Sequence, residues 1–429
     1  MSYIAESDKK LKFTKKNKKI ARAVYLDHAA STPIDRSVLL KMLPYFGAGY
    51  GNPSSMHSSG RRAGQAITRA RQEVSDILDC LPEEIIFTGS GTESDNLALR
   101  GVAHAYRHVG DHIIISAIEH KAVIESAKFL EKEGFRVSIA PVTEYGFINI
   151  PACVALITEK TILISIMYAN NEIGTIEPIR ELSTAIRTWR MENGNRSFPF
   201  FHTDACQAAG FLSLNVNELG VDLMSINGSK IYGPKGIGIL YKKRGISLFP
   251  IVVGGEQEKN LRAGTESVAL IVGFAKALCL ADSLKETESA RLIELRDYFF
   301  EGLLRSIPGS IKNGHRMMRL PNNVHISIPN IEGESILLML DKLGVEASTG
   351  SACSAYDLKP SHVLLAIGQT AEFAHGSIRF SMGRSTTKAD IDYVLSVFPS
   401  VVQQLLGISS LVATIKPRHA SVTVKISKS

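Results

Sequence analysis

The sequence predicts an α/β fold whose larger part is a mainly parallel, mixed seven-stranded sheet. Between residues 60 and 250, seven short runs rich in β-branched and apolar residues alternate with helical patterns, as is typical of parallel sheets with helical crossovers. The last two runs are separated only by residues 227–237, which is too short for a helical crossover, so we expect this pair to be antiparallel. After about residue 281 the pattern changes to a long charged helix and further strands, which predicts a smaller α+β domain.

The predicted elements follow in chain order. Strands of the larger sheet are expected at 85–88, 112–116, 136–140, 161–167, 198–202, 223–226 and 238–241. The smaller domain is expected to contain strands at 323–327 and 376–381, and helices at 288–307, 333–343 and 388–406. We expect the N-terminal run 24–27 to dock on this smaller domain.

These patterns divide the chain of 429 residues into four parts, because this length suits one large domain with a smaller companion. The predicted parts are a basic, disordered arm (1–22), a large domain (36–285), a small domain that also carries the Cys353 loop (23–35 with 286–408), and a C-terminal tail (409–429).

The charge of the chain is concentrated at its N-terminus. Residues 1–22 contain eight lysines and arginines against two acids, which accounts for +6 of the formal +7. A nearly neutral remainder gives no reason to expect a groove for nucleic acid, and no run reaches the roughly 18 apolar residues of a membrane span. We therefore expect no direct nucleic-acid partner and no membrane association.

The expected location is the cytoplasm, and no metal is expected. The basic stretch has no apolar h-region, and it is lysine-rich with acids, unlike the arginine- and serine-rich transit peptides. Five widely spaced cysteines fit a reducing compartment better than a disulfide framework. His104, His108 and His112 have helical spacing, but no carboxylate or thiol nearby completes a ligand set, which favours a helix end over a zinc site.

The most informative pair of residues is Lys230, in the segment Asn-Gly-Ser-Lys-Ile-Tyr-Gly-Pro, and Asp204, which lies upstream in Thr-Asp-Ala-Cys-Gln. An enzyme that uses pyridoxal phosphate (PLP) needs a lysine amine to hold the aldehyde as an imine and a carboxylate to keep the ring nitrogen protonated. The short connection between the last two strands places Lys230 on a constrained loop. The pair therefore predicts a PLP site.

Three further motifs follow predicted strands, where α/β sheets bind ligands. The turn around Thr92 has the small residues of a phosphate site at a helix N-terminus, and it fits an ordinary capped helix start equally well. His120 fits a structural hydrogen-bonding role as well as a ligand contact, and Asn171 fits a plain turn as well as a donor to a ligand. Considered singly, these motifs leave both interpretations open.

Taken together, the motifs resemble those of cysteine desulfurases of the class V aminotransferase superfamily, in the subgroup of iron–sulfur cluster assembly and nitrogen-fixation enzymes. The resemblance extends from about residue 25 to residue 406 and implies fold type I of the PLP-dependent transferases. It rests on the motifs at 25–28, 51–55, 88–96, 119–123, 170–174, 204–207, 227–236, 261–265, 350–353 and 377–381.

The resemblance implies a role for each matching residue. The residues implied to bind PLP are Gly91, Thr92, His120, Asn171, Asp204, Gln207, Asn227, Ser229, Lys230 and Thr265. Thr265 would reach the phosphate of a neighbouring subunit, which implies a homodimer. Asn171 and Arg379 would bind the carboxylate of the substrate L-cysteine, and Arg379 would do so through a bidentate guanidinium contact.

The implied catalytic residues are Cys353, Lys230 and His120. Cys353 lies among glycine, serine and alanine residues, as expected for a thiol that collects sulfur in one pocket and delivers it elsewhere. The implied reaction converts L-cysteine to L-alanine, with the sulfur carried as a Cys353 persulfide to an acceptor protein such as an iron–sulfur scaffold or a tRNA or cofactor thiolation enzyme. Cys206 is expected to pack against the sheet. A selenocysteine lyase or another class V PLP enzyme is the nearest alternative, and a noncatalytic scaffold is a more distant one.

Overall fold

The computed structural model describes residues 23–194, 197–349 and 360–415, with side chains as far as residue 407. The predicted arm, the segment with Cys353 and residues 416–429 lie outside these ranges. No helix in the described ranges combines the length and apolar character needed to cross a membrane.

The described ranges alternate between strands and helices. The strands are β1 (Val24–Tyr25), β2 (Ile85–Thr88), β3 (His112–Ser116), β4 (Arg136–Ala140), β5 (Thr161–Ser165), β6 (Phe200–Asp204), β7 (Leu223–Asn227), β8 (Gly238–Lys242), β9 (Ile311–Lys312), β10 (Asn323–Ser327), β11 (Val345–Glu346) and β12 (Ser377–Ser381). The α-helices are α1 (Arg36–Met42), α2 (Ser58–Leu78), α3 (Gly91–Ala105), α4 (Lys121–Lys132), α5 (Ile150–Ala155), α6 (Ile179–Glu192), α7 (Val216–Leu219), α8 (Gln257–Asn260), α9 (Val268–Ser306), α10 (Gly333–Lys342), α11 (His362–Ala366), α12 (Ala371–His375) and α13 (Lys388–Ile415).

The larger sheet has seven strands in the order β2-β8-β7-β6-β5-β3-β4. Adjacent strands from β7 to β4 are parallel, whereas β8 is antiparallel to both of its neighbours. The predicted α/β class is therefore confirmed, as is the antiparallel pair on either side of Lys230. Because β8 alone is reversed, the other six strands of this sheet have their carboxyl ends at the same edge, where such folds bind ligands.

Apolar residues on both faces bury the larger sheet between two layers of helices. Along β3, Ile113 and Ile115 pack with side chains from α3 and α4, whereas Ile114 packs on the opposite face with side chains from α2, α6 and α9. Successive strand residues point to opposite faces, and a parallel sheet covered on both sides needs apolar residues at each of them. This explains why the predicted strands are continuous apolar runs.

A second core lies around the three-stranded sheet β12-β10-β9 and the pair β1-β11. The N-terminal strand β1 runs parallel to β11, so residues 24–25 pack on this second core. Helix α9 contributes its first half to the core of the larger sheet and its second half to this one. The division into a large and a small domain near residue 285 stays a proposal, with one helix joining the two cores.

Two helices are longer than predicted. Helix α9 begins at Val268 and not at 288, and helix α13 continues past 406 to Ile415. The first half of α9 is nearly all apolar and mostly buried. Helices are predicted from an apolar and a polar face that alternate with the helical period, and this half of α9 has no polar face. Strands β5 and β6 also end at Ser165 and Asp204 and not at 167 and 202.

We expect Phe380→Ala to destabilise the second core strongly. The ring of Phe380 is fully buried and lies 5.0 Å from the ring centroid of Phe299 and 5.6 Å from that of Phe398. Removing a buried ring leaves a cavity and costs about 3–5 kcal/mol. Urea unfolding should show this loss, whereas Leu338→Ala, at a position that is 67% exposed, should change the free energy of unfolding by less than about 0.5 kcal/mol. Equal effects of the two substitutions would contradict the assignment of Phe380 to a core.

Candidate active site

A cavity of about 240 Å³ lies at the edge where the strands of the larger sheet end. It is lined by residues that follow β2, β3, β5, β6 and β7, together with residues from the second core. The sequence-predicted residues that line it are Gly91, Thr92, His120, Asn171, Asp204, Gln207, Asn227, Lys230 and Arg379. The structure therefore brings together side chains that are widely separated along the chain.

The N-terminus of α3 forms one wall of the cavity. Ser90 caps this 15-residue helix by accepting a hydrogen bond from the Glu93 amide at 3.1 Å, so the turn is a capped helix start and a cavity wall at once. A side chain at Gly91 would place its Cβ 2.7 Å from the sulfur of Cys206, so only glycine fits. The main chain at Gly91 and Thr92 is thereby exposed to the cavity, at the helix end that favours anions.

The turn that carries Lys230 is fixed on both sides. Asn227 caps it, since its side-chain oxygen accepts the Ser229 amide at 3.0 Å. The carbonyl of Ser229 accepts two hydrogen bonds from Thr32, from the amide at 2.9 Å and from the hydroxyl at 3.0 Å. The amine of Lys230 donates to the carbonyl of Ala30, which also lines the cavity. Lys230 is thus held at the cavity wall by a rigid backbone.

Two carboxylates and an imidazole meet inside the cavity. One ligand atom each of Asp95, His120 and Asp204 lie within 4.8 Å of one another. Asp204 accepts the Cys206 amide at 2.9 Å, whereas Oδ1 of Asp95 is buried, has no hydrogen bond among the described residues and lies 3.8 Å from Nε2 of the buried His202. Burial, and then the charge of Asp204, raises the pKa of Asp95 well above its ordinary value. The pair forms a buried acidic site that a cationic N–H group would stabilise.

Asp95 was not predicted from the sequence. It lies four residues after Gly91 in α3, and residues at i and i+4 share one face of a helix. Once Gly91 is placed at the cavity, the same spacing identifies Asp95.

His120 also has a structural role, as the residue that caps α4. Its Nδ1 accepts the Ala122 amide at 3.1 Å, so in the neutral ring the proton is on Nε2. In this arrangement His120 can donate a proton from Nε2 and cannot accept one there. The structural interpretation of this residue is therefore confirmed, and its contact with a ligand stays a prediction.

Arg379 reaches the cavity from β12. Its Nη1 donates to the carbonyl of Asn171 and its Nη2 to a carboxylate oxygen of Asp27, both at 2.8 Å. The Nε group is buried and lacks an acceptor within the described part of the chain. A buried guanidinium N–H without an acceptor, in a side chain that lines a cavity, fits a carboxylate of a ligand.

Other predicted residues lie elsewhere or outside the described ranges. Ser229 is buried but does not line the cavity, and Thr265 is exposed on the surface. Cys353 lies outside the described residues. Gln207 lines the cavity and donates to the carbonyl of Ala29 at 2.9 Å. The cofactor contacts predicted for Ser229 and Thr265 stay predictions.

Cys206 is a thiol that the sequence did not assign to the cavity. It is buried, as expected, but it also lines the cavity. Burial, followed by the charges of Asp204 and Asp95, raises the pKa of this thiol well above its ordinary value. A neutral thiol is a weak nucleophile, so Cys206 acts as part of the wall.

A third buried carboxyl supports the cavity from behind. Glu119 directly precedes His120 and is fully buried, and its Oε1 accepts the Ser116 hydroxyl at 2.5 Å and the Met167 amide at 2.9 Å. Burial raises the pKa of Glu119 to about 8. The group therefore stays protonated at neutral pH while it joins the ends of two strands.

Comparisons with known proteins agree on one family. The family model described as aminotransferase class-V matches residues 24–394. The cysteine desulfurase IscS of Dictyoglomus turgidum is 49% identical over 388 residues, which cover 90% of this chain and 96% of that protein. Among solved structures, a NifS-like protein has a TM-score of 0.83 at 34% identity, covering 90% of this chain and 100% of that one. SspA in complex with cysteine has a TM-score of 0.71 at 34% identity, covering 84% and 99%.

Glu119→Gln is expected to change how stability depends on pH. The folded protein keeps the Glu119 proton up to about pH 8, whereas an unfolded glutamate loses it near 4.5. Stability of the wild type should therefore fall as pH rises through this window, because the folded state binds the extra proton. The variant has no proton to lose at this position. The difference between its free energy of unfolding and that of the wild type should therefore increase by up to about 1.4 kcal/mol for each pH unit in this window.

Urea unfolding at several pH values across that window measures the difference. Glu125→Gln, at an exposed position in α4, is the matched control. A difference between Glu119→Gln and the wild type that stays constant with pH would contradict the raised pKa.

Proposed function

This chain belongs to the aminotransferase class-V family and is a cysteine desulfurase of that family, and we propose that it binds PLP in the cavity and transfers the sulfur of L-cysteine to Cys353. One observation carries the proposal. Lys230, Asp204, His120 and Arg379 come from distant parts of the chain and line one cavity at the carboxyl edge of the sheet.

The residues of the cavity fit PLP. The start of α3 at Gly91 and Thr92 offers main-chain N–H groups for the phosphate. The buried pair Asp204 and Asp95, with an oxygen that has no hydrogen bond within the described residues and lies 3.8 Å from Nε2 of His202, suits a protonated ring nitrogen. Lys230 supplies the amine that binds the aldehyde. When bound, PLP supplies a pyridinium ring that withdraws electrons from the α-carbon of the substrate.

The substrate site would be formed by Arg379 and Asn171. The buried Nε group of Arg379 is an N–H donor suited to the cysteine carboxylate. Contacts with Asn171 and Asp27 fix the guanidinium plane, so the carboxylate would be held in one orientation. The complex of the similar SspA structure with cysteine supports this substrate.

Protons would be moved by Lys230 and His120. As a free amine, Nζ of Lys230 would take the proton from the α-carbon of the substrate. The Ala122 amide holds His120 with its proton on Nε2, so we assign His120 as a proton donor on the face of the site that it lines.

Sulfur transfer would take place at Cys353. Its thiolate attacks the sulfur of the substrate, so that an S–S bond forms as the Cβ–S bond breaks. The electron pair of the broken bond stays with Cβ, which takes up a proton and becomes the methyl group of alanine, while the α-carbon regains the proton that Lys230 removed. The product on the enzyme is a Cys353 persulfide, and a thiol of an acceptor protein removes its outer sulfur.

We propose that the protein is a homodimer. Exposed apolar side chains are concentrated in the segment 34–56, and among them Leu40 is 56%, Phe46 64%, Tyr50 80% and Met56 91% exposed. Apolar surface of this kind marks protein interfaces. Thr265 is exposed as well, as its proposed contact with the phosphate in a second subunit requires.

The acceptor is proposed to be an iron–sulfur scaffold or a thiolation enzyme, and the cytoplasm stays the predicted location. The relatives named cysteine desulfurase support a sulfur-delivering role and do not distinguish between these acceptors.

Cys353→Ala should stop alanine formation and leave PLP binding intact. Loss of a nucleophile is expected to lower kcat by about 10⁴-fold or more, while the absorbance of bound PLP should not change, because the cavity residues remain. Mass spectrometry after incubation with L-cysteine should find one added sulfur on Cys353 in the wild type. Cys279→Ala, at a half-buried position in α9, is the control and should act like the wild type. Full activity of Cys353→Ala would refute its role.

Lys230→Ala should abolish covalent attachment of PLP. The variant lacks the only amine assigned to the aldehyde, so borohydride reduction followed by peptide mapping should find no PLP-modified peptide, whereas the wild type should carry PLP on Lys230. Lys235→Ala, an exposed position on the same loop, is the matched control. Modification that persists in Lys230→Ala would assign the attachment to another residue.

A further inference from the structure

The described chain that precedes the Cys353 segment is attached near the cavity. Ser348, the next-to-last residue of the described range 197–349, forms two main-chain hydrogen bonds with Arg379, at 3.1 Å and 2.7 Å. Arg379 is the residue whose side chain lines the cavity. The upstream end of the segment is therefore joined to the strand that presents the proposed carboxylate-binding group.

The downstream end is attached through a buried side-chain contact. Ser361 donates a hydrogen bond to Oε2 of Glu172 at 2.5 Å, across 189 residues of sequence. Both side chains are buried, and Glu172 directly follows Asn171, which lines the cavity. Breaking a buried hydrogen bond of this kind leaves a polar group unsatisfied. The contact therefore fixes Ser361 relative to the substrate-binding turn.

A second contact joins the next residue to another wall of the cavity. Nε2 of His362 lies 2.9 Å from the carbonyl oxygen of Glu119, which makes the ring N–H the donor. Glu119 directly precedes His120. Two successive residues at the downstream end are thus bound to the neighbours of His120 and Asn171, which follow the ends of β3 and β5.

We propose that Glu172 and Ser361, assisted by His362, are positioning residues: they hold the chain that directly follows the Cys353 segment against the substrate-binding turn. This inference rests on the proposed role of Cys353. Attack on a sulfur atom requires a close and aligned approach, and a displacement of about 1 Å can cost about 10²-fold in rate. The two contacts act on this approach without touching the substrate.

Ser361 has a local structural role in addition to its contact with Glu172. Ser361 also caps α11, since its hydroxyl oxygen accepts the Leu364 amide at 3.2 Å. Thr370 caps the next short helix, α12, by the same kind of bond to Phe373. Thr370→Ala is therefore a matched control that removes a cap of the same kind at a position where no contact with Glu172 is involved.

The experiment compares Glu172→Ala, Glu172→Gln, Ser361→Ala, Thr370→Ala and Cys353→Ala as PLP-loaded enzymes. We expect Glu172→Ala and Ser361→Ala to lower kcat for alanine formation by about 10- to 100-fold, with the KM for cysteine and the absorbance of bound PLP unchanged. Glu172→Gln should keep most of the rate, because its amide oxygen still accepts the Ser361 hydroxyl. Thr370→Ala should act like the wild type. The double variant Glu172→Ala with Ser361→Ala should be no slower than either single variant, because one contact is lost in each.

Single-turnover mass spectrometry locates the affected step. Persulfide on Cys353 should form more slowly in Glu172→Ala by the same factor as kcat. The inference is overturned if Glu172→Ala keeps the wild-type rate, if its loss follows loss of bound PLP or a rise in KM, or if Glu172→Gln is as slow as Glu172→Ala. An active Cys353→Ala would instead refute the role of Cys353 and the inference with it, so the two failures are distinguishable.

Discussion

A buried acidic pair at the carboxyl edge of the larger sheet is the constraint on which the site depends. Asp204 and Asp95 are both almost inaccessible to water, and their oxygens lie close to each other and to His120. Two carboxyl groups in such surroundings cannot both ionise at low cost, and a nearby cation relieves that cost. The cavity is therefore suited to a ring with a protonated nitrogen. Lys230 and the start of α3 line the same cavity, as the proposed contacts with the aldehyde and the phosphate require.

The site is rigid because its proposed functional residues also hold the local backbone. His120 caps α4, Asn227 caps the turn before Lys230, and Asp204 accepts the amide of Cys206. A side chain with a structural bond of this kind loses little freedom when it binds a ligand, which is the basis of preorganised catalysis. The same bonds explain why several of these motifs resemble ordinary caps and turns.

The site joins the two cores of the molecule. Arg379 belongs to a strand of the second core, yet its guanidinium contacts the carbonyl of Asn171, which follows a strand of the larger sheet. The Glu172–Ser361 contact makes a second connection near the same turn. A change in the packing of either core would therefore alter the substrate site, even though PLP would be held mainly by the larger sheet.

The sequence by itself determined the α/β class, the strands of the larger sheet and the residues with distinctive chemistry, Lys230 and Asp204 among them. These features follow from local patterns. The patterns are apolar runs of strand length, short turns, and reactive side chains in a combination that only a few kinds of reaction require. The start of α9 could not be predicted in this way, because a helix buried on nearly all sides has no polar face.

Only the tertiary structure decided that Asp95 and Cys206 line the cavity and that Glu172 bonds to Ser361. Whether a helix residue faces a ligand depends on how the helix is rotated against the sheet, and a contact across 189 residues depends on packing between layers. Both are set by the long-range burial of apolar side chains, which no local stretch of sequence specifies.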